Sequence, residues 1–173
     1  MSHLSQFRSE KDAYFGNDPT SPLSNGQLER FNGLFYFDEA PELALQLTPS
    51  LVEGSTEIEI PLSTGGVTST HRWAAVTVEI GGKRETVTVF REDEHGPLFL
   101  PFRDGTAGDE TYAVGRYLEV HPLDDGDLWL DFNYAYNPFC AYNDNWACLI
   151  PPPENHIAAQ IRAGERSYLD PEH

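Results

Sequence analysis

The sequence predicts a single domain over residues 1–173, of the all-β class: an antiparallel, barrel-like or sandwich sheet with a short N-terminal helix and a C-terminal helix. Three observations support this prediction. Short segments of alternating apolar and polar residues recur, turn-forming residues separate them at regular spacing, and strands do not alternate with long helices. A chain of 173 residues can bury a hydrophobic core without disulfides or metals.

The first element is a helix over residues 4–15, predicted from side chains at three- and four-residue spacing: Leu4, Phe7, Lys11, Tyr14 and Phe15. Ser2 is a suitable N-cap, and Pro19 and Pro22 prevent the helix from continuing. Residues 28–37 are interpreted as a helical turn followed by a strand.

From residue 43 the hydrophobic period becomes two, which predicts strands at residues 43–47, 57–60, 73–80, 86–90, 98–100, 113–120 and 128–134. Gly81 and Gly82 predict a tight hairpin between two of these strands, because glycine accepts the positive φ angles of such turns. Further turns are predicted at residues 93–96 and 124–127.

The last element is predicted to be a helix. Three prolines at residues 151–153 form a stiff lead-in, and a proline is tolerated at the first position of a helix. Ile157, Ala158 and Ile161 would form one apolar face, and Gly164 suits the position just after a helix.

The charge balance is strongly acidic. Asp and Glu total 28, Lys and Arg total 11, and the net charge is −17; Lys11 and Lys83 are the only lysines. Such a surface predicts adaptation to concentrated salt, where the Debye length falls to about 3 Å and carboxylates repel one another less. An ordinary acidic protein and a nucleic-acid mimic are the alternatives.

The same charge argues against binding to nucleic acid or to a membrane surface, because both need a basic patch. The start of the chain lacks the features of a signal peptide, and no apolar stretch approaches the length of a membrane span. We therefore expect a soluble, cytoplasmic protein. Its oligomeric state is left open.

Two cysteines, Cys140 and Cys148, are separated by seven residues. We expect reduced thiols first, a loop-closing disulfide second and a metal site last, because the spacing differs from that of zinc ligands. The histidines form no metal-binding motif. The sequence therefore predicts neither a metal nor a cofactor.

Polar residues and glycines concentrate between residues 97 and 155, where the chain reads FRD-x-T-x-G-x-ETY from Phe102, GRYL from Gly115, DFN-x-AYNP-x-CAYN from Asp131 and PPPEN from Pro151, followed by AGE from Ala163. This pattern resembles the bacterial and archaeal family called domain of unknown function 1684. The resemblance extends over nearly the whole chain and is loosest at residues 38–96. It implies no particular reaction.

The candidate ligand-binding residues lie in these segments: Arg103, Asp104, Arg116, Asp131, Asn133, Tyr136 and Asn137. Along a strand, Trp129, Asp131 and Asn133 would share one face. We expect Asp131 and Asn133 to come together with Arg103, Asp104 and Arg116 around one pocket, formed by residues 102–116 and 131–142. The structural alternative is that the arginines pair with carboxylates such as Asp131 or Glu154 and hold strands together.

Three functions remain open. The first is a binding module for a small polar or anionic molecule, with an Arg/Asp/Asn pocket. The second is a hydrolase that uses Asp104 or Asp131 as base and an arginine as anion clamp. The third is a partner-binding protein without a pocket. The aromatic residues could form either a lid over one end of the barrel or a stacking wall for a sugar or planar ring: Tyr134, Tyr136, Phe139, Tyr142 and Trp146.

Overall fold

The computed structural model describes residues 1–54 and 57–169. It contains two helices, α1 (His3–Asn17) and α2 (Asn25–Arg30), and eight strands: β1 (Ala44–Leu47), β2 (Ser50–Leu51), β3 (Glu57–Pro61), β4 (Val67–Ile80), β5 (Lys83–Arg91), β6 (Leu98–Phe102), β7 (Arg116–Pro122) and β8 (Leu128–Asp131). The predicted N-terminal helix is confirmed, and the Ser2 hydroxyl caps it by accepting the N–H of Ser5 at 3.1 Å. Over the described residues, neither helix has the length and apolar character needed to cross a membrane.

The strands form one antiparallel sheet in the order β1-β8-β7-β6-β5-β4-β2, with β3 also paired to β4. This sheet curls into a half-barrel, so the barrel-like form of the prediction is correct and the sandwich form is not. Gly81 and Gly82 have φ angles of 57° and 75° and join the paired residues Ile80 and Lys83. The predicted two-residue hairpin is therefore confirmed.

The concave face of the half-barrel carries the hydrophobic core. Every second residue of the central strands points inward, and the buried side chains include Val76, Val78, Val87, Val89, Leu98, Leu100, Leu118, Val120, Leu128 and Leu130. Because these side chains fill the interior, the polar residues of β7 and β8 lie at the edge of the core or on the outer face of the sheet.

The predicted C-terminal helix is wrong. After a 3₁₀ turn at Pro153–Asn155 the chain runs extended, and we call residues 153–165 the C-terminal segment. Its side chains alternate, with Ile157, Ala159, Ile161 and Ala163 buried and the residues between them exposed. This period of two matches an extended chain that packs one face on the core, and the helical prediction overlooked it.

The strand predicted at residues 128–134 is too long. β8 ends at Asp131, and a 3₁₀ turn follows at Phe132–Tyr134. The turn buries Asn133, so this side chain does not share the outer face of the sheet with Trp129 and Asp131 as predicted. Likewise β7 begins at Arg116, not at residue 113.

Candidate functional site

Arg116 and Asp104 form a buried ion pair. Their side chains are 1% and 2% exposed, and Arg116 Nη2 lies 3.2 Å from Asp104 Oδ1. Asp104 also accepts the hydroxyl of Thr106 and the backbone N–H of Ile161, the latter at 2.7 Å. Burial lowers the pKa of Arg116, an effect that the Asp104 charge opposes. The pair thus balances both charges inside the protein, as in the structural alternative, but the carboxylate is Asp104 and not Asp131 or Glu154, and the buried Arg116 Nε has no hydrogen-bond partner among the described residues.

The other Arg116 hydrogen bonds go to the C-terminal segment. Nη1 donates to the carbonyls of Ala163 at 2.5 Å and Glu165 at 3.0 Å, and Nη2 donates to that of Ile161 at 2.9 Å. An extended segment needs partners for its backbone groups, and here the guanidinium supplies donors that a neighbouring strand would otherwise supply. Arg116 therefore fixes the C-terminal segment against the half-barrel.

Arg103 lies apart from this ion pair. Its Nε donates to the carbonyl of Ala113 at 2.9 Å, which closes the loop between β6 and β7. Its backbone pairs in parallel with His156 of the C-terminal segment. Glu154 is also not an arginine partner within the predicted pocket, because it binds Arg72 at 2.8 Å.

Asn133 and Asp131 bind the chain that leads into β1. The Asn133 amide accepts the N–H of Ala40 at 2.8 Å and donates to its carbonyl at 2.9 Å. Asp131 Oδ1 in turn accepts the backbone and side-chain N–H groups of Asn133. This arrangement explains why an Asn follows the end of β8: its amide reproduces a backbone pair where the strand has stopped.

Asn137 belongs to a second polar cluster, centred on the buried carboxylate of Glu165. Glu165 accepts the backbone N–H of Asn137 and the hydroxyl of Tyr142, both at 2.7 Å. Lys11 of α1 lies 2.6 Å from the other carboxylate oxygen and 4.9 Å from the centre of the Tyr136 ring. The cluster ties α1 to the C-terminal segment.

The predicted residues are therefore not gathered in one pocket. Asp104 and Arg116 form one buried pair, Asp131 and Asn133 another polar unit, and Arg103 binds a separate loop. Asp131 and Tyr136, however, both line a groove on the outer face of β7 and β8, which we call the outer groove. Its volume is about 290 Å³, and its lining residues are Phe7, Leu118, Glu119, His121, Trp129, Asp131, Tyr134 and Tyr136.

The outer groove combines aromatic walls with carboxylates. Phe7 of α1 packs on Tyr134 with ring centres 5.0 Å apart. Burial and the Glu119 charge raise the pKa of Tyr136 to about 12, and burial and the Asp131 charge raise that of Tyr134. Each tyrosine therefore lies within the electrostatic influence of a carboxylate, and both hydroxyls are protonated donors at neutral pH.

The aromatic cluster of the prediction divides into two parts. Tyr134 and Tyr136 face the outer groove, whereas Phe139 and Tyr142 pack with Phe15 in a small second core between the N-terminal helices and the loop after β8. Trp146 covers this second core through Phe139, at 5.1 Å.

Comparison with known proteins gives the family. The model of the family described as protein of unknown function (DUF1684) matches residues 29–166. The chain belongs to this family. A solved structure is similar as well, the solution NMR structure of an uncharacterized protein of Haloarcula marismortui, with a TM-score of 0.73 and 37% sequence identity over 98% of this chain and 94% of that chain. No curated protein matches.

Three residues that line the outer groove, Phe7, Glu119 and His121, were not predicted as candidate binding residues from the sequence. Glu119 and His121 alternate with the buried Leu118 and Val120, a signal that could have placed both on the outer face of β7. Phe7 had no such signal, because its place depends on how α1 packs against a sheet more than 100 residues away in sequence.

Proposed function

We propose that the protein binds a small, neutral, polyhydroxylated molecule in the outer groove. One observation carries the proposal: the carboxylates of Glu119 and Asp131 and the rings of Trp129, Tyr134 and Tyr136 all line the same half-enclosed space. Aromatic faces stack on the apolar side of a sugar-like ring, and carboxylates accept hydrogen bonds from its hydroxyls.

The charge of the lining residues favours a neutral polar ligand over an anionic one, the two classes expected from the sequence. Of the described residues that line the outer groove, none is an arginine or lysine, and the chain carries a net charge of −17. An anion would meet two carboxylates and no arginine or lysine among the described lining residues, so a neutral ligand is better supported. For the same reason the hydrolase with an arginine clamp is less well supported, and Asp104 is already engaged by Arg116.

The size of the groove agrees with a small ligand. Its volume of about 290 Å³ lies at the lower end of the range for small-molecule sites, about 300–1,000 Å³. A wider depression of about 720 Å³ lies at the β4–β5 hairpin, beside Lys83 and Arg162. Of the described residues that line it, none is aromatic, so it offers no surface for stacking.

We also infer that the protein works in concentrated salt. The net charge of −17 and the presence of only Lys11 and Lys83 support this inference, and so does the source of the similar structure, Haloarcula marismortui. In such a solvent charge attraction is screened, whereas stacking and hydrogen bonds are retained. A ligand held by aromatic and hydroxyl contacts suits these conditions.

Isothermal titration and ligand-observed NMR in concentrated KCl test the proposal, with a panel of neutral monosaccharides and polyols, organic amines, and sugar phosphates. We expect neutral polyhydroxylated compounds to bind and sugar phosphates to bind at least about tenfold more weakly, a difference of about 1.4 kcal/mol. Trp129→Leu should abolish binding. Its matched control is Trp73→Leu, which alters a half-buried tryptophan on β4 outside the groove.

The carboxylates have a matched pair of variants too. Glu119→Gln should weaken binding, whereas Glu79→Gln, at an exposed position of β4, should leave it unchanged. Preferential binding of an amine or a phosphate would contradict the proposed ligand class. Equal loss of binding in the Trp129 and Trp73 variants would show that the outer groove is not the site.

A further inference from the structure

Cys140 and Cys148 are thiols that lie next to each other in the fold. Cys140 is 4% exposed and sits in the 3₁₀ turn Phe139–Ala141, and Cys148 is half-buried at the end of the following loop. The backbone N–H of Cys140 donates to Cys148 Sγ at 3.3 Å. The two thiols also hydrogen-bond to each other, so the two sulfurs lie within reach of one another.

The surroundings of the two sulfurs stabilise a thiolate. The hydroxyl of Tyr112 lies 3.6 Å from Cys140 Sγ and donates toward it. A hydrogen bond from the Cys148 thiol, opposed by burial, lowers the pKa of Cys140 to about 6, and the same contact with burial raises the pKa of Cys148. Since the two shifts have opposite directions, Cys140 is the sulfur that ionises first and is the better nucleophile near neutral pH.

The loop is anchored at both ends. The backbone N–H of Cys148 donates to the Ser63 hydroxyl at 3.0 Å, and the N–H of Ser63 donates to the Cys148 carbonyl at 2.8 Å. Leu149 then pairs with Leu62. Because Ser63, just after β3, holds Cys148, and the second core contains Phe139 and Ala141 on either side of Cys140, the two sulfurs are kept together by the fold and need not find each other by loop motion.

We propose that Cys140 and Cys148 form a redox-active dithiol that hydrogen peroxide converts into an intramolecular disulfide. The Cys140 thiolate attacks one peroxide oxygen, the O–O bond breaks, and the leaving hydroxide takes up a proton to become water. The Cys148 sulfur then attacks the resulting sulfenic acid; the S–S bond forms, the S–O bond breaks, and the departing hydroxide leaves as water with the Cys148 proton. In total, two thiols and one peroxide give one disulfide and two waters.

The experiment uses the full chain, reduced, freed of reductant under argon and treated with stoichiometric hydrogen peroxide. We expect the intact mass to fall by two hydrogen atoms, both thiols to be lost to maleimide labelling in denaturant, and dithiothreitol to restore them. The rate should reach half its maximum at about pH 6. Two thiols that persist in excess peroxide, or a disulfide formed only between chains, would overturn the proposal.

Variants assign the roles of the two sulfurs. Cys148→Ser should stop at a sulfenic acid on Cys140, which dimedone traps, and should form no disulfide within the chain. Tyr112→Phe removes a donor to Cys140 Sγ and should move the half-maximal rate to higher pH without preventing disulfide formation. A sulfenic acid found only on Cys148, or an unchanged pH profile in Tyr112→Phe, would refute the assigned roles, and the wild-type thiol count tests the disulfide without any variant.

Discussion

Replacing Arg116 with alanine tests whether the buried ion pair is structural. The change leaves the Asp104 carboxylate, 2% exposed, without its counter-charge, and it removes the donor from three backbone carbonyls of the C-terminal segment. Breaking a buried pair in this way costs about 3–5 kcal/mol. In the variant, Asp104 keeps its hydrogen bonds from the Thr106 hydroxyl and the Ile161 N–H, and these bonds stabilise the carboxylate in part. We expect the free energy of unfolding to fall within that range, a large part of the 5–15 kcal/mol typical of a domain.

The assay is urea unfolding followed by tryptophan fluorescence at constant KCl, because urea leaves the ionic strength unchanged. Arg162→Ala is the matched control. This arginine lies on the same C-terminal segment and pairs with Glu110 at 2.8 Å, but its side chain is 55% exposed. An exposed ion pair contributes at most about 1 kcal/mol. The two alanine variants therefore remove the same residue type from the same segment and differ in burial.

A loss for Arg116→Ala no larger than that for Arg162→Ala would refute the reasoning. A further check is the double variant Arg116→Met with Asp104→Asn, which removes both charges. The matching single variants are Arg116→Met and Asp104→Asn. Because Arg116→Met and Asp104→Asn each leave the partner's buried charge unpaired, the double variant should lose less stability than the sum of these two losses. Strict additivity would show that the two side chains do not act as a pair.

Two further predictions concern charge. The melting temperature should rise when KCl is increased from about 0.1 M to about 2 M, because screening reduces repulsion among the excess carboxylates. Thermal melts followed by circular dichroism measure this, and a melting temperature that stays constant or falls would contradict the prediction. For Glu154, hydrogen bonds from Arg72 and Thr88 lower the pKa against the opposing effect of burial. Since its folded pKa is the lower one, its contribution is present above the unfolded pKa, about 4.3, and is lost as pH falls through the folded value. The stability difference between wild type and Glu154→Gln should therefore shrink in acid; a constant difference in urea titrations would exclude this linkage.

The sequence predicted the sheet well because its strands follow local rules. Period-two segments from residue 43 to residue 131 became strands, and the Gly81-Gly82 hairpin formed at its predicted place. The C-terminal segment was mispredicted because Pro151–Pro153 and Gly164 are also typical of helix ends. Its true signal was the alternation over residues 155–163, in which the odd-numbered residues are buried and the even-numbered ones are exposed.

The candidate site was predicted only in part. Asp131 and Tyr136 line the outer groove, but the expected gathering of Arg103, Arg116 and Asn133 with them did not occur. Strand alternation could place Asp131 outward, yet it could not show that the strand ends there and that Asn133 turns inward. Partner choice in buried ion pairs depends on three-dimensional packing, and a chain with 28 acidic residues offers too many candidates for each arginine.

Three polar residues of the family pattern, Asp104, Arg116 and Asn155, share a physical task. The C-terminal segment runs extended with few ladder bonds, so side chains must satisfy its buried backbone. Arg116 donates to carbonyls of the C-terminal segment, and Asp104 accepts the N–H of Ile161. Glu85 accepts the N–H of Ala158. The side-chain amide of Asn155 donates to the backbone carbonyls of Thr88 on β5 and Pro101 on β6.

These contacts hold the C-terminal segment against the half-barrel, and Arg116 contributes to them with a side chain that points inward from β7. Two of the odd-numbered residues that follow it on β7, Glu119 and His121, point outward to the groove. One strand thus carries a structural side chain on its inner face and candidate ligand contacts on its outer face. Under the proposed function, ligand binding by this protein should therefore depend on the outward residues of β7 and β8, because Asp104 and Arg116 are already engaged by each other and by the C-terminal segment.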